Sequence, residues 1–223
     1  MKKNIIIVAF IFAALTLGCK LPDALSGSRS NANTATAPTE SKPSDTAVAT
    51  GDPKDDLVRS SKKFIELPFF TAQMDGTGKV DFQTNLKYAA PDRYHITQGG
   101  NKIETIIVGT DTYMKTGSSW NKLPVDVGSM IPKLRDMYTE DAVKAVTNVQ
   151  FAGDDDLDGK PALVYTYDSQ MPKFNTPISS KMWISKQNGL PIKVVIDYSS
   201  GDLKKMVINY DTDTPVTIES PIK

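Results

Sequence analysis

The sequence has 223 residues, of which 26 are basic and 26 acidic, so its formal net charge at pH 7 is zero. It contains no basic stripe and no cluster of aromatic and arginine residues, which disfavours a nucleic-acid partner. Cys19 is the only cysteine, so the folded part of the chain must be stable without an internal disulfide.

The first 18 residues have the pattern of a secretory signal. Lys2 and Lys3 form a positive n-region, the run from Ile5 to Leu17 is apolar, and Gly18 is a small residue where a peptidase would cut. The apolar run is shorter than the roughly 20 residues that a membrane-spanning helix needs. We therefore predict a cleaved signal peptide over residues 1–18.

Cys19 follows this signal directly. The stretch LTLGC at residues 15–19 resembles a bacterial lipobox, whose cysteine becomes the diacylglyceryl-modified first residue of the mature protein. Lipidation would attach the chain stably to a membrane, since each buried methylene contributes about 0.8 kcal/mol. A free thiol, an intermolecular disulfide, a plain secretory signal and a retained anchor are the alternatives.

Residues 19–53 consist mainly of Ser, Thr, Ala, Asn, Asp, Gly and Pro and contain no aromatic residue. Such a segment cannot bury enough apolar area to offset the entropy of ordering it. We interpret it as a disordered tether with a root-mean-square reach of roughly 30 Å. The remaining residues, 54–223, have the length of one ordinary domain.

Asp52-Pro53 has the pattern of an N-cap followed by proline at the first helical position, which predicts a short helix over Pro53–Lys62. Beyond this helix the dominant period is two, as expected for half-buried antiparallel strands. In KVDFQTNLKY, the apolar face carries Val80, Phe82, Leu86 and Tyr88.

A second alternating stretch places Leu190, Ile192, Val194, Ile196 and Tyr198 on one face. Asn188-Gly189 precedes it and is a strong hairpin signal after MWISK. The spacing of turn residues indicates a meandering antiparallel sheet. The other predicted strands are Phe64–Met74, Arg93–Thr97, Ile103–Val108, Thr112–Lys115, Trp120–Leu123, Val149–Phe151, Ala162–Tyr167, Leu203–Tyr210 and Val216–Ile218.

One segment, SMIPKLRDMYTEDAVKAV at 129–146, breaks this pattern and has helical spacing. We predict two short helices, or one helix broken near Thr139, with Ser129 and Thr139 as N-caps. About ten strands would then offer one long apolar face, with only about 25 helical residues to cover it. The prediction is an α+β fold: a strongly curved antiparallel sheet, or incomplete barrel, with short helices over an apolar concave face.

Five stretches in chain order carry a family resemblance: APDRYHI at 90–96, IIVGTDTYMK at 106–115, SWNKLP at 119–124, KMWISK at 181–186 and NGLPIK at 188–193. They resemble strands and turns of the LolA/LolB-like and LppX/LprG-like bacterial lipoproteins, and the match covers nearly all of the domain. The resemblance implies an incomplete barrel closed by helices, with an apolar cavity for acyl chains of lipids or lipoproteins. It also implies a function in the cell envelope. A related sensor domain uses the same fold for regulation.

Catalytic and metal signals are weak. Asp154–Gly159 contains D-x-D-x-D-G, but Tyr165 occupies the position where a calcium loop needs a bidentate glutamate. We interpret this run as a solvated turn. His95 is the only histidine and has no nucleophile motif beside it, so we expect a surface or rim position. The chain has no zinc spacing and no phosphate-binding loop, and we expect no catalysis and no cofactor.

The hypothesis is therefore a lipid-anchored envelope lipoprotein that binds a hydrophobic ligand without catalysis. An envelope sensor or protein-interaction module with a filled core is the alternative, and an envelope protein partner is compatible with both. Lys20 after the cysteine favours the periplasmic face of the outer membrane if the cell has two membranes. The predicted sites are Cys19 for lipidation and, for ligand binding, Val80, Phe82, Leu86, Met130, Leu134, Met137, Ile192, Val194 and Ile196.

Overall fold

The structure is a computed structural model that describes residues 49, 51–100, 103–124, 138–139, 142–143, 145–171 and 176–222. Its described helix, α1, spans Pro53–Ile65, which confirms the predicted helix and extends it by three residues. The Asp52 carboxylate caps α1 by accepting a 2.8 Å hydrogen bond from the Lys54 amide, and Lys62 and Lys63 lie in its last turn. No helix in the described residues is long and apolar enough to cross a membrane.

Eleven strands follow α1 in the described residues. Their bounds are β1 Phe69–Gly78, β2 Phe82–Ala89, β3 Arg93–Gln98, β4 Ile103–Val108, β5 Asp111–Thr116, β6 Ser119–Lys122, β7 Thr147–Leu157, β8 Lys160–Met171, β9 Thr176–Ser185, β10 Pro191–Tyr198 and β11 Leu203–Asp211. Because α1 continues to Ile65, the predicted strand Phe64–Met74 starts five residues later than expected. The predicted strand Val216–Ile218 is irregular, although Ile218 is buried and its carbonyl accepts a 2.7 Å hydrogen bond from Arg93.

All eleven strands belong to one sheet in the order β6-β5-β4-β3-β2-β1-β11-β10-β9-β8-β7, and every neighbouring pair is antiparallel. Short turns produce two meanders, β1–β6 and β7–β11, because they let each strand fold back on the one before it. The pairing of β1 with β11 joins the two meanders. The sheet is curved and open, with β6 and β7 at its edges, which confirms the predicted incomplete barrel.

Two tight turns shape the second meander, and the hairpin predicted at Asn188-Gly189 is confirmed. Asp158 and Gly159 connect β7 to β8 with φ angles of 54° and 80°, the left-handed conformation that a tight hairpin requires. The turn between β9 and β10 contains Asn188-Gly189, and the Asn188 side chain accepts a 3.0 Å hydrogen bond from the Leu190 amide. These turns set the register of the strands on both sides of them.

The side chains of the inner face form the main core beneath α1. Phe64 of α1 packs against Phe70, Tyr138 and Tyr210 at ring-centre distances of 4.8, 4.4 and 5.1 Å. The Tyr138 hydroxyl donates a 2.7 Å hydrogen bond to the Tyr210 hydroxyl, which satisfies two phenols inside the cluster. This aromatic cluster fills the end of the inner face where α1 lies.

Residues 1–48 and 125–137 lie outside the described residues, and with them Cys19, most of the tether and the predicted cover residues Met130, Leu134 and Met137. Part of the predicted second helix is described at 138–139 and 142–143. There the Thr139 side chain accepts a 3.4 Å hydrogen bond from the Ala142 amide, the contact expected of an N-cap.

Candidate functional site

The inner face of the sheet divides into a covered part and a more open part. In the covered part, cross-strand neighbours meet in continuous rows, such as Tyr165, Met182, Val194 and Ile208 on β8, β9, β10 and β11. Each of these four side chains is at most 5% exposed. This part of the interior is filled by the protein itself.

The other part of the inner face is more open, and its partly exposed side chains lie on β9, β10 and β11 and on β1 and β3 of the first meander. Five of its side chains pack against the core but remain partly exposed, and we call them the apolar patch: Met74, Ile96, Ile178, Tyr198 and Met206. Ile178 pairs with Tyr198, and Met206 pairs with Ile196 of the core, so the patch continues the buried rows without a break. An apolar surface that continues a core at a concave face is the usual form of a site for a hydrophobic ligand.

Gly76 shapes the neighbouring surface. It lies between Met206 on β11 and Phe82 on β2, and a Cβ atom at Gly76 would be 2.1 Å from the Phe82 ring. The ring therefore lies directly over the glycine backbone. Because glycine leaves this space free, Phe82 lies flat against the sheet beside the apolar patch.

Two tyrosines near the patch are kept neutral. Burial raises the pKa of Tyr198 to about 12. Burial also raises the pKa of Tyr167 to about 12, although a hydrogen bond with Ser180 partly offsets this. Both phenols are thus protonated at physiological pH and can donate a hydrogen bond to the polar end of a ligand.

The inner face carries little charge. Asp56 of α1 is the one charged side chain that is buried among the described residues, and it pairs with Arg59 and accepts a 2.6 Å hydrogen bond from Tyr165. Thr84, between Met74 and Gln98 in the sheet, is 2% exposed, and its hydroxyl has no hydrogen-bond partner in the described structure. The scarcity of charge suits an uncharged apolar ligand, and the Thr84 hydroxyl is a buried polar group beneath the surface.

The predicted lining residues have different positions. Leu86, Val194 and Ile196 lie in the main core, and Phe82 is partly buried beside the apolar patch. Val80 lies in the turn before β2 and is 60% exposed, so its predicted position on the inner face is wrong. The alternation of the sequence continues past the end of the strand, whereas the pairing of β2 with β1 begins only at Phe82.

Ile192 is a second error of placement. The register shifts between Pro191 and Lys193, so this part of β10 contains a bulge. A bulge inserts one extra residue and breaks the alternation of faces. Ile192 consequently packs against Ala162, Val164 and Trp183, which form a separate small core on the outer face of the sheet.

All five residues of the apolar patch were missed as candidate lining residues. Met206 alternates with Ile208 and Tyr210, and Ile178 alternates with Met182 and Ile184, so the period of two was present in the sequence. The sequence does not indicate that these residues border an opening, since periodicity predicts which face of the sheet a residue lies on and not how exposed it is. Met74 lies next to Met206 because β1 pairs with β11, and Ile96 lies two strands further along the sheet, on β3.

The outer face carries the polar groups that the sequence drew attention to. His95 Nε2 lies 2.8 Å from Glu104 Oε1, and Lys115 Nζ lies 2.8 Å from Glu104 Oε2. The hydrogen bond from Lys115 is the main cause that lowers the pKa of Glu104, and the bond with His95 acts in the same direction. This arrangement is an ion-pair cluster on the surface of β3–β5, with no nucleophile among its members.

Of the run Asp154–Gly159, which was predicted as a solvated turn, Asp158 and Gly159 form the turn, whereas residues 154–156 are exposed but belong to β7. Asp154 pairs with Lys186 at 2.7 Å, and Asp155 accepts a 2.8 Å hydrogen bond from Trp183. The Asp156 carboxylate accepts a 2.6 Å hydrogen bond from the Gly159 amide in the following turn. Within the described residues, no group of three or more His, Cys, Asp or Glu side chains is arranged to hold a metal ion.

Comparisons with known proteins find similarity in structure and not in sequence. No protein-family model matches the chain, and no curated protein is significantly similar to it. The solved structure of lipoprotein LppX from Mycobacterium tuberculosis is 15% identical, covers 77% of this chain and 100% of its own, and superposes with a TM-score of 0.57. LprF from Mycobacterium bovis is also 15% identical, covers 77% of this chain and 98% of its own, and has a TM-score of 0.59.

Both similarities extend over nearly the whole length of the two solved chains and over about three quarters of this one. At this level of identity they establish the architecture, while the chemistry of the site depends on the residues of this chain. The chain therefore has a fold similar to that of the lipoproteins LppX and LprF.

Proposed function

We propose that the protein is a membrane-anchored envelope lipoprotein that binds the acyl chains of a lipid or lipoprotein at the apolar patch, without catalysing a reaction. The observation that carries this proposal is the partial exposure of Met74, Ile178 and Met206 on an inner face that is otherwise filled. Exposed apolar side chains that continue a core favour a ligand that completes it.

The physical basis of binding would be the burial of hydrocarbon. Each Å² of apolar surface removed from water contributes roughly 25 cal/mol, so an alkyl chain needs few polar contacts. Tyr198 offers a hydroxyl group at the patch for an ester or amide group of the ligand. Met74 and Met206 have flexible side chains that can fit chains of different shape, so we expect broad specificity.

Copurified ligand is the direct test. The full chain would be purified from its native membrane in a mild detergent and examined by native mass spectrometry, followed by titration with a fluorescent fatty acid. We expect adducts with the mass of lipids, and saturable uptake of the probe after they are removed. A mass equal to that of the protein alone, together with no uptake of the probe, would contradict the proposal.

Membrane attachment is part of the same proposal and rests on the lipobox-like stretch that ends at Cys19. The solved structure of LppX belongs to a protein named as a lipoprotein, which supports this assignment. In cells fed a radiolabelled fatty acid, the protein should be labelled and should sediment with membranes, and Cys19→Ser should lose both properties. A Ser26→Ala variant in the tether is the control that should keep them.

A protein-interaction module is the second candidate, because the part of the core that contains Val194 is already filled. In that case the apolar patch would contact a protein and not an acyl chain. The two candidates differ in the fatty-acid titration, since only the first predicts saturable uptake by the purified protein.

A further inference from the structure

A polar groove of about 540 Å³ lies on the outer face of β7–β10, on the opposite side of the sheet from the apolar patch. Its volume is in the range of small-molecule sites, roughly 300–1,000 Å³. The outer-face residues that line it are Asn148, Gln150, Thr166, Asp168, Ser179, Lys181 and Asp197, and the inward-facing residues Tyr167 and Ser180 lie between them along β8 and β9.

Strand register arranges most of these side chains in two adjacent rows. Gln150, Thr166 and Lys181 are paired across β7, β8 and β9 and form the first row. Asp168, Ser179 and Asp197 are paired across β8, β9 and β10 and form the second. Since directly paired residues point to the same face, six hydrogen-bonding side chains meet on one surface.

A bulge in β7 adds a seventh group. The register of β7 shifts between Thr147 and Gln150, and Asn148 in between has a φ of 53°, a left-handed conformation that few non-glycine residues adopt. This conformation turns the Asn148 amide toward the groove, where it donates a 2.8 Å hydrogen bond to Asp168. Bulges that redirect a side chain in this way are frequent beside functional sites.

Asp168 is held on both sides. Its Oδ2 accepts from Asn148, and its Oδ1 accepts a 2.7 Å hydrogen bond from the Ser179 hydroxyl. These two bonds lower the pKa of Asp168, so the carboxylate is ionised at neutral pH. Carboxylate oxygens accept more than one hydrogen bond, and Asp168 can therefore accept a further one from a ligand without losing its position.

Thr166 and Gln150 of the first row add two further hydrogen-bonding side chains to the groove. Within the described residues, neither side chain has a hydrogen-bond partner in the protein. Lys181 supplies a cation, and its amine also lies 4.7 Å from the centre of the Trp183 ring. The groove thus offers donors and acceptors side by side, with one lysine and two carboxylates, of which Asp197 has Lys205 at 4.0 Å.

We propose that this groove is a binding site for the hydroxyl groups of a carbohydrate. Each sugar hydroxyl can both donate and accept a hydrogen bond. It therefore fits a groove in which amides, hydroxyls and carboxylates lie side by side. Two carboxylates disfavour phosphate or another anion, and an alkyl chain would remove the hydrogen-bonding side chains of both rows from water without replacing their hydrogen bonds. The site goes beyond the proposed lipid binding and does not depend on it, because the two surfaces lie on opposite faces of the sheet.

The carbohydrate could be free or the head group of a lipid, and the probes distinguish these sources. The full chain in phosphatidylcholine nanodiscs would be mixed with maltotriose, chitotriose or dodecyl maltoside below its micelle concentration, and saturation-transfer NMR would be recorded. Transfer to either trisaccharide would show recognition of a free glycan, and transfer to maltoside alone would show recognition of a lipid-linked sugar. No transfer to any of the three would overturn the proposal.

Variants test whether transfer arises in the groove. Asp168→Asn and Thr166→Val should each weaken binding at least fivefold. The Thr166 hydroxyl has no hydrogen-bond partner within the described residues, so Thr166→Val removes no contact inside the protein. This variant therefore tests binding in the groove even if Asp168→Asn is unstable. Asp75→Asn is the matched control, because Asp75 also accepts two side-chain hydrogen bonds, from Gln73 and Gln83, but lies outside the groove. Equal binding by Thr166→Val and the unmutated protein would overturn the assignment.

Discussion

The Tyr165 phenol on β8 donates a 2.6 Å hydrogen bond to the Asp56 carboxylate on α1. Tyr165 is fully buried and Asp56 is 4% exposed, so the bond joins the helix to the sheet inside the core. Burial and the hydrogen bond to Asp56 both raise the pKa of Tyr165, and the phenol remains a donor. The position of α1, and hence the division of the inner face into covered and open parts, depends on this contact.

Tyr165→Phe should destabilise the protein because it removes one partner of a buried carboxylate. We expect a loss of about 1–3 kcal/mol in the free energy of unfolding, measured by urea denaturation. The control is Tyr113→Phe, which removes a 3.3 Å hydrogen bond to Asp111, a carboxylate that is 41% exposed. A cost no larger than that of the control would contradict the structural role of the Asp56 contact.

Alkaline pH should destabilise the fold through its buried tyrosines. The pKa values of Tyr167 and Tyr198 are about 12, above the ordinary value of 10.0. Between pH 10 and 12 the unfolded chain therefore loses protons that the folded chain retains. Below pH 10 these groups leave stability unchanged, and above it each should lower the free energy of unfolding by about 1.4 kcal/mol per pH unit.

The measurement is a series of urea denaturation curves from pH 8 to pH 11.5. Tyr198→Phe removes one of the titrating groups and should give a shallower decline above pH 10 than the unmutated protein. If the two declines are parallel, Tyr198 does not titrate with a raised pKa.

Gly76→Ala should displace the Phe82 ring, because the new Cβ atom would lie 2.1 Å from it. We expect a loss of about 1–3 kcal/mol in unfolding free energy, as for other overpacked sites. In a Phe82→Ala background the same change should cost much less, since the clashing ring is gone. A double-mutant cycle by thermal denaturation measures this coupling, and additive costs would show that the two residues do not meet.

Met206→Asp should reduce uptake of a fluorescent fatty acid at least tenfold, because it places a charge in the apolar patch. Val207→Asp is the matched control, since this neighbour points to the outer face and is also partly exposed. Both variants should fold, as judged by circular dichroism. Equal uptake by the two variants would show that the ligand does not contact the inner face at Met206.

Local patterns predicted the elements of this fold correctly where the physical cause is local. Asp52-Pro53 predicted the start of α1, because an N-cap and a proline at the first helical position act within one turn. Asn188-Gly189 predicted the β9–β10 hairpin, because a turn depends on the backbone freedom of its own residues. Alternation likewise predicted that Leu86, Val194 and Ile196 face the core.

The alternation of apolar residues predicted the wrong position where a bulge shifts the register of a strand or where no strand is formed. At Ile192 a bulge interrupts the period of two, and at Val80 no strand is formed although the pattern continues. The groove was still harder to predict from the sequence, since Asn148 reaches Asp168 only because β7 bulges beside β8. Nothing in the residues around position 148 indicates which distant side chain will lie opposite.

By itself the sequence determined the signal-like start, the period of the strands and the turns between them, because these depend on neighbours along the chain. Tertiary structure decided that β1 pairs with β11, that α1 covers only one end of the inner face and that Met74 and Met206 stay partly exposed. Burial is a property of the assembled sheet. The exposure of a residue depends on strands far away in sequence, and the candidate site could be located only after they were in place.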